Sequence, residues 1–354
     1  RFGLRNVVVT ALTLVAAGMA LATQMTQFWH LVLFWGVMLG VGSGMTALVL
    51  SAVVSNRWFD SHRGLVVGIL TASSATGQLI FLPVAAWMIE RFGWRLAVMP
   101  VLIACAVMAL AVYLLMRNRP SDVGLAPFGA APGTPVAAAP AMRVTFATPF
   151  KILAEASRSS VFWILAGTFF ICGLSTNGLI QTHFISLCGD AGLGPVPAAS
   201  VLAMMGAFDL VGTIASGWLS DRYDNRKLLF MYYGLRGLSL LWLPYSEFTL
   251  YGLSMFAMFY GLDWIATVPP TVRLTGATFG KEKAGMVFGW IFAAHQLGAA
   301  VAAYGAGRIR TLLLTYNPAL LAAGAACLVA AAIVMLIRKP AVAAAAAPVP
   351  AKAA

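Results

Sequence analysis

Gly217-Trp-Leu-Ser-Asp-Arg-Tyr-Asp-Asn-Arg-Lys227 places five charged side chains within the seven residues 221–227, between two strongly apolar runs. Only 10% of the 354 residues are charged, so this concentration needs a cause. A loop between two membrane crossings supplies one. The chain is 61% hydrophobic with a mean hydropathy of +0.87, whereas a soluble domain has about 45–50% apolar and about 25% charged residues. That much apolar surface has no place in an aqueous fold, so the composition implies a polytopic membrane protein. The runs are too long for barrel strands, which alternate over about ten residues. An all-α membrane fold follows.

A bilayer core of about 30 Å needs roughly 20 apolar residues per helix. On that rule ten spans are predicted: 6–23, 28–52, 64–89, 95–116, 159–185, 197–219, 228–244, 248–268, 284–306 and 312–337. Placing both termini in the cytoplasm puts 18 of the 23 Lys and Arg on that side. Arg91, Arg95, Arg308 and Arg310 fall outside and Arg236 lies within a span, as the positive-inside rule requires. The net charge of +12 could point to nucleic acid, but the charges sit in short loops rather than in a basic helix or arginine-rich tail. No nucleic-acid partner is expected. Cys105, Cys172 and Cys327 fall within apolar runs and read as small hydrophobes, and Cys188 lies near a span end. With no CxxC and no metal-ligand spacing, neither metal nor cofactor is expected.

Residues 1–116 then form a four-span bundle, 117–158 a cytoplasmic linker, 159–339 a six-span bundle, and 340–354 an Ala/Pro-rich tail to which no fold is assigned. Within the linker, LAPFGAAPGTPVAAAPAM reads as a flexible tether. FKILAEASR (150–158) reads as a short helix on the membrane surface.

The two bundles are related. At a constant offset of 221 residues, Arg1 meets Arg222, Arg5 meets Arg226, Gly40 meets Gly261, Gly64 meets Gly285, Val66 meets Val287, Gly68 meets Gly289 and Gly77 meets Gly298. Two spans precede the charged loop in the second half and none precedes RFGLR at the start of the first. The expectation is a twelve-span protein shortened by its first two spans. The charged motif between two spans, its repetition after six spans and the long central loop together resemble the major facilitator superfamily. SNRWFDSHRGLVVGI and GLDWIATVPPTVRLTG are similar to bacterial members near the monocarboxylate and oxalate–formate branch.

The resemblance implies alternating access to a central site, with the charged loop as a cytoplasmic gate. It assigns that role to Asp221, Arg222 and Arg226, and through the repeat to Arg1 and Arg5. A purely topogenic basic loop is the bland alternative. The glycine rows Gly36/Gly40/Gly44, Gly64/Gly68 and Gly285/Gly289 read as close helix packing. The Gly-Pro signature of drug antiporters is absent from TASSATGQ (71–78) and its surroundings.

Ionisable groups within spans usually face a cavity or a partner. Asp209 lies twelve residues before Asp221, about 18 Å along a helix, and His295 about 16 Å from its helix start. Both reach the midplane, where a carboxylate or an imidazole can carry a coupling proton. Monocarboxylate transporters carry an arginine one turn after the corresponding aspartate. Here that position holds Thr213, so the carboxylate-binding arginine does not carry over. Arg236 and Asp263 share a depth, and a structural ion pair between them is favoured over reception of an anion by Arg236. Asn177, Gln181 and His183 form a polar patch, Trp264 and Trp290 are candidate walls, and Gln78 is a further candidate contact.

The leading reading is a secondary transporter of a small, monocarboxylate-like organic anion, coupled to a proton or another ion. It acts as a monomer in the bacterial inner membrane, embedded in lipid by its multiple spans, and is not an enzyme. The alternative is a membrane sensor or scaffold that keeps the fold without transport.

Overall fold

The computed structural model describes residues 3–46, 49–130, 145 and 147–338, without the side chains of Val49, Ala52, Ser74, Ala75, Thr76, Gln78, Leu250 and Lys281. Arg1, most of the tether, the side chain of Gln78 and the tail from Pro340 therefore lie outside the described residues.

Helices lie within every expected span. In the first half these are α1 (Leu4–Ala22), α2 (Phe28–Thr46), α3 (Val49–Trp58), α4 (Arg63–Phe92) and α5 (Trp94–Leu115). The short helix α6 (Thr148–Ala156) follows. Then come α7 (Ser160–Asp190), α8 (Pro195–Ser220), α9 (Asn225–Trp242), α10 (Leu250–Asp263), α11 (Val268–Phe279), α12 (Lys281–Leu313) and α13 (Asn317–Val334). Among the described residues the one β-type pairing is an isolated bridge between Phe59 and Phe128. Among the described residues, seven helices are long and apolar enough to cross a bilayer: α1, α2, α5, α7, α8, α12 and α13.

One expected span is corrected. Residues 248–268 are not a single helix, because α10 stops at Asp263 and α11 starts at Val268. Pro269 and Pro270 explain the restart. Proline has no N–H to give to a preceding turn, and it disfavours helical geometry in the residue before it. It is accommodated in a helix's first turn. A different irregularity appears in α7, which is wound with i→i+5 hydrogen bonds over Leu174–Gln181, as α2 is over Leu31–Leu39. Such winding is rare and gathers at functional sites.

The repeat seen in the sequence is also a repeat of helices. α9 to α13 start and end 217 to 223 residues after α1 to α5. Even the stops agree: Gly93 after α4 and Leu314 after α12, 221 apart, both take a left-handed or glycine-type backbone, with φ of 80° and 57°.

Backbones touch where glycine allows it. A Cβ on Gly212 of α8 would run into the Leu262 carbonyl oxygen of α10, and one on Gly298 of α12 into that of Phe170. Gly173 meets the His295 backbone in the same way. Between the halves, Gly64 and Gly68 of α4 lie against Asp221 and the Thr213 carbonyl of α8. The other expected glycine faces do not pack in this way. Among the described residues, Gly36, Gly40, Gly44 and Gly289 have nothing within 4 Å of a Cβ placed on them, and Gly285 has only Val53 at 3.9 Å. A glycine row marks the capacity for close approach, while the approach itself needs a neighbour in place.

Helix α6 overlaps the stretch 150–158 expected to lie on the membrane surface, starting and ending two residues earlier, and it rests on α12. Ile152 and Ala156 are buried, Trp290 Nε1 donates to the Pro149 carbonyl at 3.0 Å, and Lys283 pairs with Glu155 at 2.6 Å.

Gly212→Ala is expected to destabilise the protein in detergent by roughly 1–3 kcal/mol, since a backbone oxygen cannot move aside. Gly234→Ala, at a helix position with open space around it, should be neutral or gain up to about 1 kcal/mol. Thermal unfolding of the two variants against the parent chain measures the contrast.

Candidate functional site

A cavity of about 390 Å³ lies between the halves. The first half contributes Thr46, Ser51, Thr71 and Ser73 from α2 to α4, and the second contributes Cys172, Thr176, Asn177, Gln181, Trp264, Phe292 and His295. The polar residues of α7 reach the cavity from its i→i+5 stretch. Among the described lining residues there is no Asp, Glu, Lys or Arg, so His295 is the side chain there able to hold a positive charge. The close approach of α7 at Gly173 fixes the His295 backbone. Its ring stacks on Phe292 and tilts against Phe169, and Nδ1 lies 3.1 Å from Gln296 Oε1. Asn177, Gln181, His295 and Trp264 thus line one cavity.

Asp209 does not line this cavity. It is 1% exposed and accepts from Thr213 Oγ1 at 2.7 Å and from the Ile265 N–H at 2.9 Å. Ile265 belongs to the break between α10 and α11, so the carboxylate satisfies a donor freed by the interruption. Its azimuth on α8 turns it toward the break between α10 and α11 and away from the cavity.

Arg236 and Asp263 form the expected pair, at 3.0 Å from Nε to Oδ2, both buried. The guanidinium also donates through Nη2 to the carbonyls of Asp263 (2.6 Å) and Trp264 (2.9 Å), and through Nη1 to Cys172 Sγ (3.0 Å). Arg236 is committed to the α10 end and to the cavity wall behind Cys172. The alternative role as an anion receptor finds no opening, because Arg236 is 0% exposed.

Two other candidates are corrected. His183 joins helix ends, with Nε2 2.9 Å from the Ala303 carbonyl and Nδ1 3.3 Å from the Tyr316 hydroxyl. Trp290 anchors α6 instead of walling the cavity. Cys172, which sequence reasoning treated as a small hydrophobe, is a polar member of the wall. Its depth matches that of the residues around it, and only the position of Arg236 on a neighbouring helix reveals its partner.

At the charged loop, Asp221 alone of the expected gate residues bridges the halves among the described residues. Its Oδ2 accepts from the Leu65 N–H at 3.2 Å, at the start of α4, and Oδ1 lies 3.5 Å from Arg273 Nη2. A carboxylate at a helix N-terminus meets unpaired N–H groups and a favourable dipole. Arg222 turns back over Trp218, with its guanidinium 4.1 Å from the ring. Arg226 pairs with Asp224 at 2.7 Å and donates to the Ile337 carbonyl, staying within the second half. The Asp224 hydrogen bond holds the Arg226 guanidinium above its ordinary range. Arg5 stays within the first half, where its backbone N–H meets Asn118 Oδ1 and its side chain covers Tyr113. Each of these arginines finds its partners within its own half: Trp218 one turn back for Arg222, Asp224 and the Ile337 carbonyl for Arg226, and Asn118 and Tyr113 for Arg5. On the loop side of Asp221, a second cavity of about 610 Å³ is lined by Ser55, Arg63, Tyr223 and Arg273 among others.

The sequence profile described as the Major Facilitator Superfamily matches residues 1–303. Monocarboxylate transporter 13 of Bos taurus is 27% identical over 334 residues, 92% of this chain and 71% of that protein. The uncharacterized MFS-type transporter YcxA of Bacillus subtilis (strain 168) is 25% identical over 316 residues, 87% of this chain and 72% of that one. Among solved structures, the human organic anion transporter MFSD10 has a TM-score of 0.65 at 16% identity, covering 94% of this chain and 77% of that one. The E. coli fucose:proton symporter FucP has a TM-score of 0.60 at 16% identity, with 95% and 84% covered. These structural likenesses concern the fold.

Arg236→Met alone should cost about 3–5 kcal/mol, because Asp263 is left as a buried unpaired charge. Arg236→Met combined with Asp263→Leu should recover part of that loss. Denaturation of both variants in the same detergent checks the pair.

Proposed function

The chain belongs to the major facilitator superfamily, a multi-pass membrane transporter and not an enzyme, and we propose that its cargo is a small organic anion of the monocarboxylate kind. The similarity to monocarboxylate transporters supports this class. The carrying observation is the chemistry of the 390 Å³ cavity: neutral hydroxyl and amide donors beside one imidazole. Cavities of about 300–1,000 Å³ hold small metabolites. A carboxylate leaving water for this wall needs a compensating charge, and protonated His295 supplies it. Anion and proton then move together as a neutral pair, with Asn177 and Gln181 orienting the cargo. Asp209, Arg236 and Asp263 hold the frame behind the site.

The position of the cavity between the halves supports alternating access. Asp221 acts as the cytoplasmic latch: its contact with the start of α4 holds that side together and is released when the halves rock. The excess of Lys and Arg in the loops on one face supports cytoplasmic termini, and we place the monomeric protein in a bacterial inner membrane.

In proteoliposomes, labelled C2–C4 monocarboxylates should accumulate several-fold faster with acid outside. His295→Ala should abolish the response to the gradient while keeping monodisperse elution. Equal flux with and without the gradient would refute proton coupling, and absence of flux for every carboxylate would refute the cargo class. For the latch, Asp221→Asn should speed thiol labelling of Ser55→Cys, which lines the loop-side cavity. An unchanged rate would remove Asp221 from that role.

A further inference from the structure

Cys172 stands apart from the other cysteines. Cys188 and Cys327 sit in the hydrophobic core and do not line the cavity, Cys105 lies half-buried on α5, and Cys172, 3% exposed, packs into the core on one side. Cys172 lines the central cavity and belongs to a polar cluster. Arg236 Nη1 is aimed at its sulfur from 3.0 Å, and Thr267 Oγ1 lies 3.4 Å away. His295 lines the same cavity.

The direction of the guanidinium is informative. Arg236 already has Asp263 as its carboxylate partner, yet it directs a second nitrogen at the sulfur, while Asp263 Oδ1 is buried with no hydrogen-bond partner. A charge-assisted hydrogen bond from a guanidinium is much stronger to an anion than to a neutral acceptor. The thiolate, not the thiol, is the nucleophilic form. The ionisable groups surrounding the sulfur are Arg236 and Tyr233 from α9, Asp263 and Tyr260 from α10, His295 from α12 and Cys327 from α13. Of these, Arg236 is the one that touches it as a permanent cation.

We infer that Cys172, activated by Arg236, is a covalent modification site in the central cavity for small, neutral, sulfur-seeking electrophiles. With methyl methanethiosulfonate the Cys172 sulfur attacks the sulfenyl sulfur. An S–S bond forms, the bond from that sulfur to the sulfonyl group breaks, and methanesulfinate leaves with the electron pair. No external oxidant is needed. The methylthio group then stands in the cavity between Thr176 and His295, where it obstructs any cargo. The inference uses the cavity proposed for the anion, but labelling requires no cargo, so failure of transport leaves it standing.

The test is a timed reaction of the full chain in detergent with methyl methanethiosulfonate, quantified cysteine by cysteine by peptide mass spectrometry. Cys172 should be modified at least tenfold faster than Cys105 at pH 7, and its rate should rise by clearly less than tenfold per unit between about pH 6 and 8. An unactivated thiol accelerates about tenfold per pH unit there. Arg236→Lys should slow labelling several-fold and restore that slope. If this variant fails to fold, the pH profile of the unaltered chain decides alone. An unmodified Cys172 beside a reacting Cys105, or a rate rising about tenfold per unit, overturns the inference.

Discussion

The broken helix between Asp263 and Val268 governs the second half. An interruption inside a bilayer leaves carbonyls and N–H groups without partners, and lipid offers none. Arg236 takes the carbonyls of Asp263 and Trp264, and Asp209 takes the N–H of Ile265. Both groups are buried and both are held by this duty. In return the turn sets Trp264 and Ile265 into the cavity wall, and Arg236 steadies Cys172 there. Two ionic side chains that resemble functional groups are thus the supports on which a largely uncharged cavity is built.

The first half shows that the fold itself does not demand those charges. At the 221-residue offset, Arg236 corresponds to Val15 and Asp263 to Gly42. Val15 and Gly42 also touch, since a Cβ on Gly42 would lie 2.7 Å from Val15 Cγ2. There α2 remains helical through Thr46, and no proline follows at the positions matching Pro269 and Pro270, which hold Leu48 and Val49. A buried ion pair and a tight apolar contact therefore occupy equivalent places, consistent with the small net stability of such pairs relative to apolar packing. The charges accompany the break.

This contrast explains what could be read in advance. Length and apolarity located the helices, because a bilayer imposes a nearly fixed thickness on them. Matching depth paired Arg236 with Asp263, since only a partner at the same height can neutralise a charge in lipid. Depth does not fix azimuth, so Asp209 lies beside the pore, Trp290 does not form the wall that Trp264 does, and His183 is turned away from the patch of Asn177 and Gln181. The proline pair was visible and its consequence for span 248–268 was not drawn, because hydropathy alone passes smoothly over it. At the loop, Arg222 and Arg226 take near neighbours, Trp218 one turn back and Asp224 two residues back, instead of a partner in the other half. Asp221 was legible as an anion near the halves' boundary, but its acceptor role toward a backbone N–H depends on where α4 begins.

The i→i+5 winding of α7 holds one residue more than an α-helix of the same length would need. Each residue in an ordinary helix advances the azimuth by about 100°. Sliding that surplus toward either end of α7 would swivel Thr176, Asn177 and Gln181 by about one such step while leaving the helix ends anchored. The polar face offered to a bound molecule is in this sense a vernier, adjustable in register without any movement of the bundle.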